Sequence, residues 1–135
     1  MIAQISVFLQ DKTGRVYDVV TVLSDQKINI TGFDIADSTE GYGILRLIVD
    51  DPEKAVDILH EQHITARETK VVGVYLPNET GILSRILNLF KNNQLDVEYM
   101  YAAASNNIIF SLDDNEKAEE ILLGAGYKLT KSFEI

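Results

Sequence analysis

The chain has 135 residues, 46% hydrophobic and 24% charged, with 21 acidic against 12 basic side chains and a formal net charge of −9. This balance excludes a disordered segment, and it speaks against nucleic acid or an anionic membrane as partner, since clustered Lys and Arg hold both. The lack of any cysteine removes disulfides, thiol nucleophiles and thiolate metal sites together.

The first ten residues carry no Lys or Arg ahead of their apolar positions and no small-residue cleavage site, so they do not read as a signal peptide. No apolar run is long enough to span a bilayer, and a cytoplasmic location is expected. Ile2 to Leu9 reads as a strand, followed by a polar turn ending at Gly14. Val16, Val19, Val20 and Leu23 then recur at helical spacing, and the pattern breaks at Gln26-Lys27. A second strand is expected from Ile28 to Ala36, a turn at Glu40-Gly41-Tyr42-Gly43 and a third strand from Ile44 to Val49. Asp51-Pro52-Glu53 is a helix start, with a capping acceptor, a proline of preset φ and an acid at the positive dipole end. Ile64 to Glu68 is the fourth strand.

The same order then begins again. Strands are expected at Lys70 to Leu76, Leu95 to Ala103, Ile108 to Leu112 and Tyr127 to Phe133, with a turn at Ser105-Asn106-Asn107. One helix carries Leu83, Ile86, Leu87 and Phe90 and stops at Asn93-Gln94; the other starts at Asp114-Asn115-Glu116. The repetition is literal in places. Thr13-Gly14 recurs as Thr80-Gly81, an offset of 81 − 14 = 67. Farther on, Asp50, Asp51, Glu53, Lys54, Ala55, Ile58 and Leu59 recur as Asp113, Asp114, Glu116, Lys117, Ala118, Ile121 and Leu122. The sequence therefore predicts an α+β protein of two tandem ferredoxin-like βαββαβ repeats, residues 1–69 and 70–135. Each would have an antiparallel four-stranded sheet with two helices on one face. A connection of almost no length around Thr69 leaves edge-to-edge pairing, face-to-face pairing and exchange of a terminal strand all open.

The segment Asn78-Glu79-Thr80-Gly81-Ile82-Leu83-Ser84-Arg85-Ile86, with Phe90 and Leu95-Asp96-Val97, resembles the first half of an ACT domain. A second match is Asp11-Lys12-Thr13-Gly14-Arg15-Val16, with Leu23 and Ile28-Asn29-Ile30. The resemblance spans the whole chain and implies a non-catalytic regulatory module. Such modules bind an amino acid between the strand-to-helix turn of one domain and the second-strand start of another. It assigns the turn side of the site to Asp11, Lys12, Thr13, Gly14, Arg15 and Val16, and to Asn78, Glu79, Thr80, Gly81, Ile82 and Leu83. It assigns the strand side to Asn29 and Ile30, and to Asp96 and Val97. ACT domains often carry proline before the glycine, where this chain has Thr13 and Thr80.

The residue types suit that chemistry. A helix opening at Gly14 or Gly81 offers unpaired N–H groups to a carboxylate, and glycine lets a ligand come close. The amide of Asn29 both donates and accepts, whereas Asp96 only accepts. The two candidate sites are thus inequivalent, and the one joining Asn29 to the Asn78–Gly81 turn is expected to be the better. Ile82, Leu83, Tyr99 and Met100 are candidates for an apolar lining or for core.

Other signals point elsewhere more weakly. His60 and His63 stand three apart near a helix end, without a third ligand, so no metal is expected. Tyr75, Tyr99 and Tyr101 fall on strands, but the acidic charge and the missing basic-glycine-aromatic pattern argue against RNA. Arg15 is the one residue that fits an acylphosphatase-type anion turn, and Ile82 takes its place in the second copy. No cofactor is expected. The expected partners are a free amino acid or similar small ligand, a second copy of the chain and a regulated enzyme. A ligand-free dimerisation or adaptor module is the alternative, and an acylphosphatase-like enzyme the weaker one.

Overall fold

The computed structural model describes residues 1–11 and 13–132. Its elements are β1 (Ile2–Leu9), α1 (Arg15–Asp25), β2 (Ile30–Asp37), β3 (Gly43–Val49), α2 (Pro52–Glu61), β4 (Ala66–Tyr75), α3 (Ile82–Asn92), β5 (Val97–Ala103), β6 (Asn107–Leu112), α4 (Asn115–Gly124) and β7 (Lys128–Leu129). The chain divides into two compact units, Ala3–Thr69 and Met1–Ile2 with Lys70–Ile135. The class is α+β, with antiparallel strands and helices.

In the Ala3–Thr69 unit β3 lies between β1 and β2, antiparallel to both. β1 also pairs with β4, and just ahead of β4 the Phe8 N–H donates to Thr65 O at 2.9 Å. Ile5, Val7 and Leu9 alternate along β1, as Leu45, Leu47 and Val49 do along β3, and all six meet Val19 and Leu23 of α1 and Ala55, Ile58 and Leu59 of α2 in one core. In the Lys70–Ile135 unit the order is β7, β4, β6, β5, again antiparallel throughout. Its core sets Val72, Val74, Phe110 and Leu112 against Ile86, Phe90, Ala118 and Leu122.

Five of the seven recurring residues have specific duties. The Asp50 carboxylate accepts the Asn29 N–H at 3.1 Å, and the Asp50 N–H returns a bond to Asn29 O at 3.1 Å. Asp113 clasps Asp96 in the same way, at 3.0 Å and 3.1 Å. Asp51 and Asp114 are N-caps, accepting from the Lys54 and Lys117 N–H. The ammonium groups of Lys54 and Lys117 reach back to Gln26 O and Asn93 O, at the C-termini of α1 and α3. Ala55, Leu59, Ala118 and Leu122 are fully buried. Capping and clamping, not acid–base chemistry, account for the paired aspartates.

All four helices end in one motif. The N–H of Ile28, Ile64, Leu95 and Tyr127 donates five residues back, to Leu23, Leu59, Phe90 and Leu122. The residue before each is left-handed: Lys27 (φ 63), His63 (φ 59), Gln94 (φ 54) and Gly126 (φ 89). These are Schellman ends with an apolar contact across them. They correct the expected second-strand starts: Ile28 and Leu95 seal helices, and β2 and β5 begin two residues later. Only α4 uses glycine there. Replacing Gln94 by glycine should raise stability by about 0.5–1 kcal/mol, the relieved left-handed cost less the added freedom of the unfolded chain. Urea denaturation checks it; a loss of stability would remove strain as the description of this helix end.

Two other expectations are corrected. The strands expected at Ile64 to Glu68 and Lys70 to Leu76 are one continuous strand, β4, with Thr69 inside it rather than between two strands. The last strand, expected from Tyr127 to Phe133, is only Lys128–Leu129, although Thr130 adds one bond from its N–H to Gly73 O at 2.8 Å. Phe133 lies outside the described residues.

Candidate functional site

The turns before α1 and α3 are built alike. Gly14 and Gly81 are the N-caps, with φ of 76° and 86° and no side-chain cap. A Cβ on Gly14 would meet nothing within 4 Å, and one on Gly81 only Arg85 Nη1 at 3.6 Å. Positive φ, rather than close approach, is therefore why glycine stands there. The carbonyls of Gly14 and Gly81 accept from Asp18 and Arg85 N–H, both at 3.0 Å. Apart from Ile82 N–H, which donates to Glu79 O at 3.3 Å, the first turn of α3 keeps N–H groups without intrahelical partners.

The residues flanking the glycines differ in charge. In the first turn the Asp11 carboxylate accepts the Thr13 N–H at 2.9 Å, and Arg15 lies 3.6 Å from Asp18. Lys12 lies outside the described residues. In the second turn Asn78 and Ile82 take the places of Asp11 and Arg15, and Glu79 lies 3.7 Å from Arg85. Val16 and Ile82 are half-buried against their cores; Asp11, Thr13, Asn78, Thr80 and Leu83 are exposed.

Each turn borders a cleft. The one in the Lys70–Ile135 unit measures about 490 Å³, within the size of small-molecule sites. Asn78, Glu79, Gly81, Ile82 and Leu83 form one wall, and the β5–β6 hairpin end, Ala102, Ala103 and Asn106 to Ile108, forms the other. Asn107 holds that wall in place. Its buried amide donates to Ala104 O and Ser105 O, at 3.0 and 3.2 Å, and accepts from the Thr130 hydroxyl. Ser105 and Asn106 both have positive φ, as a type I′ hairpin turn requires. The cleft in the Ala3–Thr69 unit is smaller, about 380 Å³, and lies on the other flank of its turn. Asp11 and Arg15 face it, together with Phe8, Gln10, His63 and Thr65.

The strand-side residues do not join these clefts. Leu9, the last residue of β1, pairs with Gly43 at the start of β3, whereas Ile30 pairs with Val49 at its end. Six strand steps separate the two, roughly 20 Å. Likewise Tyr75 pairs with Asn107 but Val97 with Leu112. Turn and second-strand start therefore occupy opposite ends of each unit. The side chains of Asn29 and Asp96 are exposed, and their backbones are held by Asp50 and Asp113. The hairpin wall was not among the sequence-derived candidates. A signal existed: when strands two and three form a hairpin beside strand one, its tip lies at the end where strand one gives way to its helix.

The remaining signals resolve into structure. His60 Nε2 lies 2.8 Å from Ala66 O, and His63 has left the helix as its left-handed end residue. Among the described residues no group of three or more His, Asp or Glu side chains is placed to hold a metal. The Tyr99 and Tyr101 rings stack at 6.5 Å, and Tyr101 is buried; neither tyrosine, nor Met100, lines the 490 Å³ cleft. Among the described residues no helix is long and apolar enough to cross a membrane.

Two units of matching strand order, each opening its first helix at a left-handed glycine beside a cleft, define a duplicated α+β module. The family model described as ACT domain pair matches residues 1–132, and the chain belongs to this family. It is 34% identical to protein BT0572 from Bacteroides thetaiotaomicron, whose crystal structure matches with a TM-score of 0.88 over 97% of this chain and 92% of that one. The regulatory subunit of aspartate kinase from Thermus thermophilus, in its ligand-free form, matches at a TM-score of 0.60 and 16% identity, over 92% and 91% of the two chains. That from Thermus flavus matches at 0.59 and 18%, over 90% and 88%. At such identities these two likenesses concern the fold alone. No match was found among curated protein sequences.

Proposed function

We propose that the protein is a non-catalytic amino-acid sensor built of two ferredoxin-like ACT repeats divided at Thr69 and Lys70. A free amino acid is held by the turn of one ACT repeat against the second-strand start of another repeat, which a second copy of the chain can supply. Ligand then favours the assembly that completes the site, by mass action, and the assembly biases a regulated enzyme in the cytoplasm. The observation that carries this reading is the cleft of about 490 Å³ beside Gly81. It sets a helix N-terminus suited to a carboxylate beside walls that suit a small organic body. The distance between turn and strand start within a unit supports a shared site, since neither unit brings both sides together.

The test is thermal unfolding of the protein with each common amino acid in turn. A ligand present at about a hundred times its Kd adds about 2.7 kcal/mol, a rise of several degrees in Tm for a chain of this size. At least one amino acid should give it. If none responds at roughly millimolar concentration, the sensor reading fails in favour of a ligand-free adaptor.

A further inference from the structure

We propose that the cleft of the Lys70–Ile135 unit is the chain's single amino-acid cleft, and that it selects an α-amino acid with an uncharged aliphatic side chain. This rests on the amino-acid reading above and adds to it the number of sites, their location and the ligand's side-chain class. The walls are mostly apolar: Pro77, Ile82, Leu83, Ala102 and Ile108 border the cleft. The one ionisable lining residue, Glu79, has a side chain 61% exposed, beside Arg85. A solvated acid of that kind gives little to a cationic side chain and repels an anionic one. A charged ligand side chain against the walls would lose its water without a partner, whereas an aliphatic one gains from the burial. The polar groups serve the head of the ligand instead. The free N–H groups in the first turn of α3 receive its carboxylate, and the Asn78 amide oxygen its ammonium.

The first unit differs in the charge of its turn and cleft, not in the first-turn N–H groups of its helix. Its turn N–H at Thr13 is already occupied by the Asp11 carboxylate, which repels a ligand carboxylate. Arg15 stands where the second cleft has Ile82, and His63 and Gln10 are also on the cleft wall. Duplication supplied the same turn twice, but the clefts beside it lie on different flanks, and Asp11 and Arg15 give the first a charged lining that Asn78 and Ile82 do not give the second.

Isothermal titration of the full chain with leucine, isoleucine, valine, aspartate, glutamate and lysine tests this. The aliphatic amino acids should bind with one site per chain, and the charged ones roughly tenfold or more weaker. Giving the second turn the first turn's residues, by Asn78→Asp or Ile82→Arg, should weaken aliphatic binding roughly tenfold or more. Gln10→Ala, on the wall of the first cleft, should leave it unchanged. Asn78 is exposed, so its variant keeps the test intact should Ile82→Arg fail to fold. A charged amino acid as the tightest ligand, two sites per chain, or binding lost with Gln10→Ala and kept in Asn78→Asp would overturn the inference while leaving the sensor reading standing. Failure of all amino acids to bind would remove the sensor reading itself.

Discussion

Replacing Phe90 by alanine should cost the protein about 3–5 kcal/mol, the largest loss expected from a single truncation. Phe90 projects from α3, is 1% exposed, and lies among the largest buried side chains. Its ring meets Phe110 of β6 edge to face, with centroids 5.2 Å apart and planes at 80°, a geometry that adds to simple burial. Truncation leaves a void bounded by β-strand side chains on one side and by Ile86 and Leu122 on the other. Close-packed neighbours relax only partly into such a void. The expected loss is a large share of the roughly 5–15 kcal/mol that holds an ordinary domain folded. Phe33→Ala is the control: Phe33 is 69% exposed, and its removal should change stability by no more than about 0.5 kcal/mol. Equilibrium unfolding in urea measures both. Equal effects from the two would mean that the core is not centred on the Phe90–Phe110 contact.

Gly73→Ala should also be costly, for the opposite reason. A Cβ at Gly73 would lie 2.8 Å from Thr130 Cβ, 3.2 Å from its hydroxyl oxygen and 3.1 Å from Ile2 Cδ1. Thr130 cannot give way freely, since its N–H donates to Gly73 O at 2.8 Å and its hydroxyl donates to the buried Asn107 amide. Overpacking of this kind costs about 1–3 kcal/mol. Breaking the Thr130–Asn107 bond would add about 1–3 kcal/mol for the buried amide left unsatisfied. Because Asn107 anchors one wall of the 490 Å³ cleft, the same change should weaken ligand binding without touching a lining side chain. A double-mutant cycle isolates the cause. Gly73→Ala combined with Thr130→Gly should cost less than the two single changes summed, because the second removes the atom that the first strikes. Strict additivity would reject the clash as the mechanism.

These positions mark what was readable in advance. The helices bearing Phe90 and Leu23 were legible because apolar residues recur with the period of the helix, and the aspartate caps because Asp51 and Asp114 precede them. The duplication itself was visible as identities at an offset of 81 − 14 = 67 that shortens to 113 − 50 = 63, and Asp50, Lys54 and their counterparts prove to be the clamps and caps of each unit. The second-strand starts were misjudged because an apolar residue after a helix reads as strand, whereas Ile28 and Leu95 close Schellman ends. That distinction depends on a single left-handed residue, and Lys27 and Gln94 carry no mark of it. Gly73 was equally silent, since the atoms that crowd it come from Ile2 and Thr130.

By itself the sequence determined the helices, most of the strands and the repeat, because each depends on local periodicity or on neighbours within a few residues. Only the tertiary structure decided what faces the turns before α1 and α3. It set Ala102, Ala103 and Asn106 to Ile108 opposite Gly81, carried Asn29 and Asp96 to the far end of each unit, and ran Thr69 through the middle of β4. Those outcomes follow from strand pairing between residues distant along the chain, whose register is chosen by burying one face of each sheet beneath its helices.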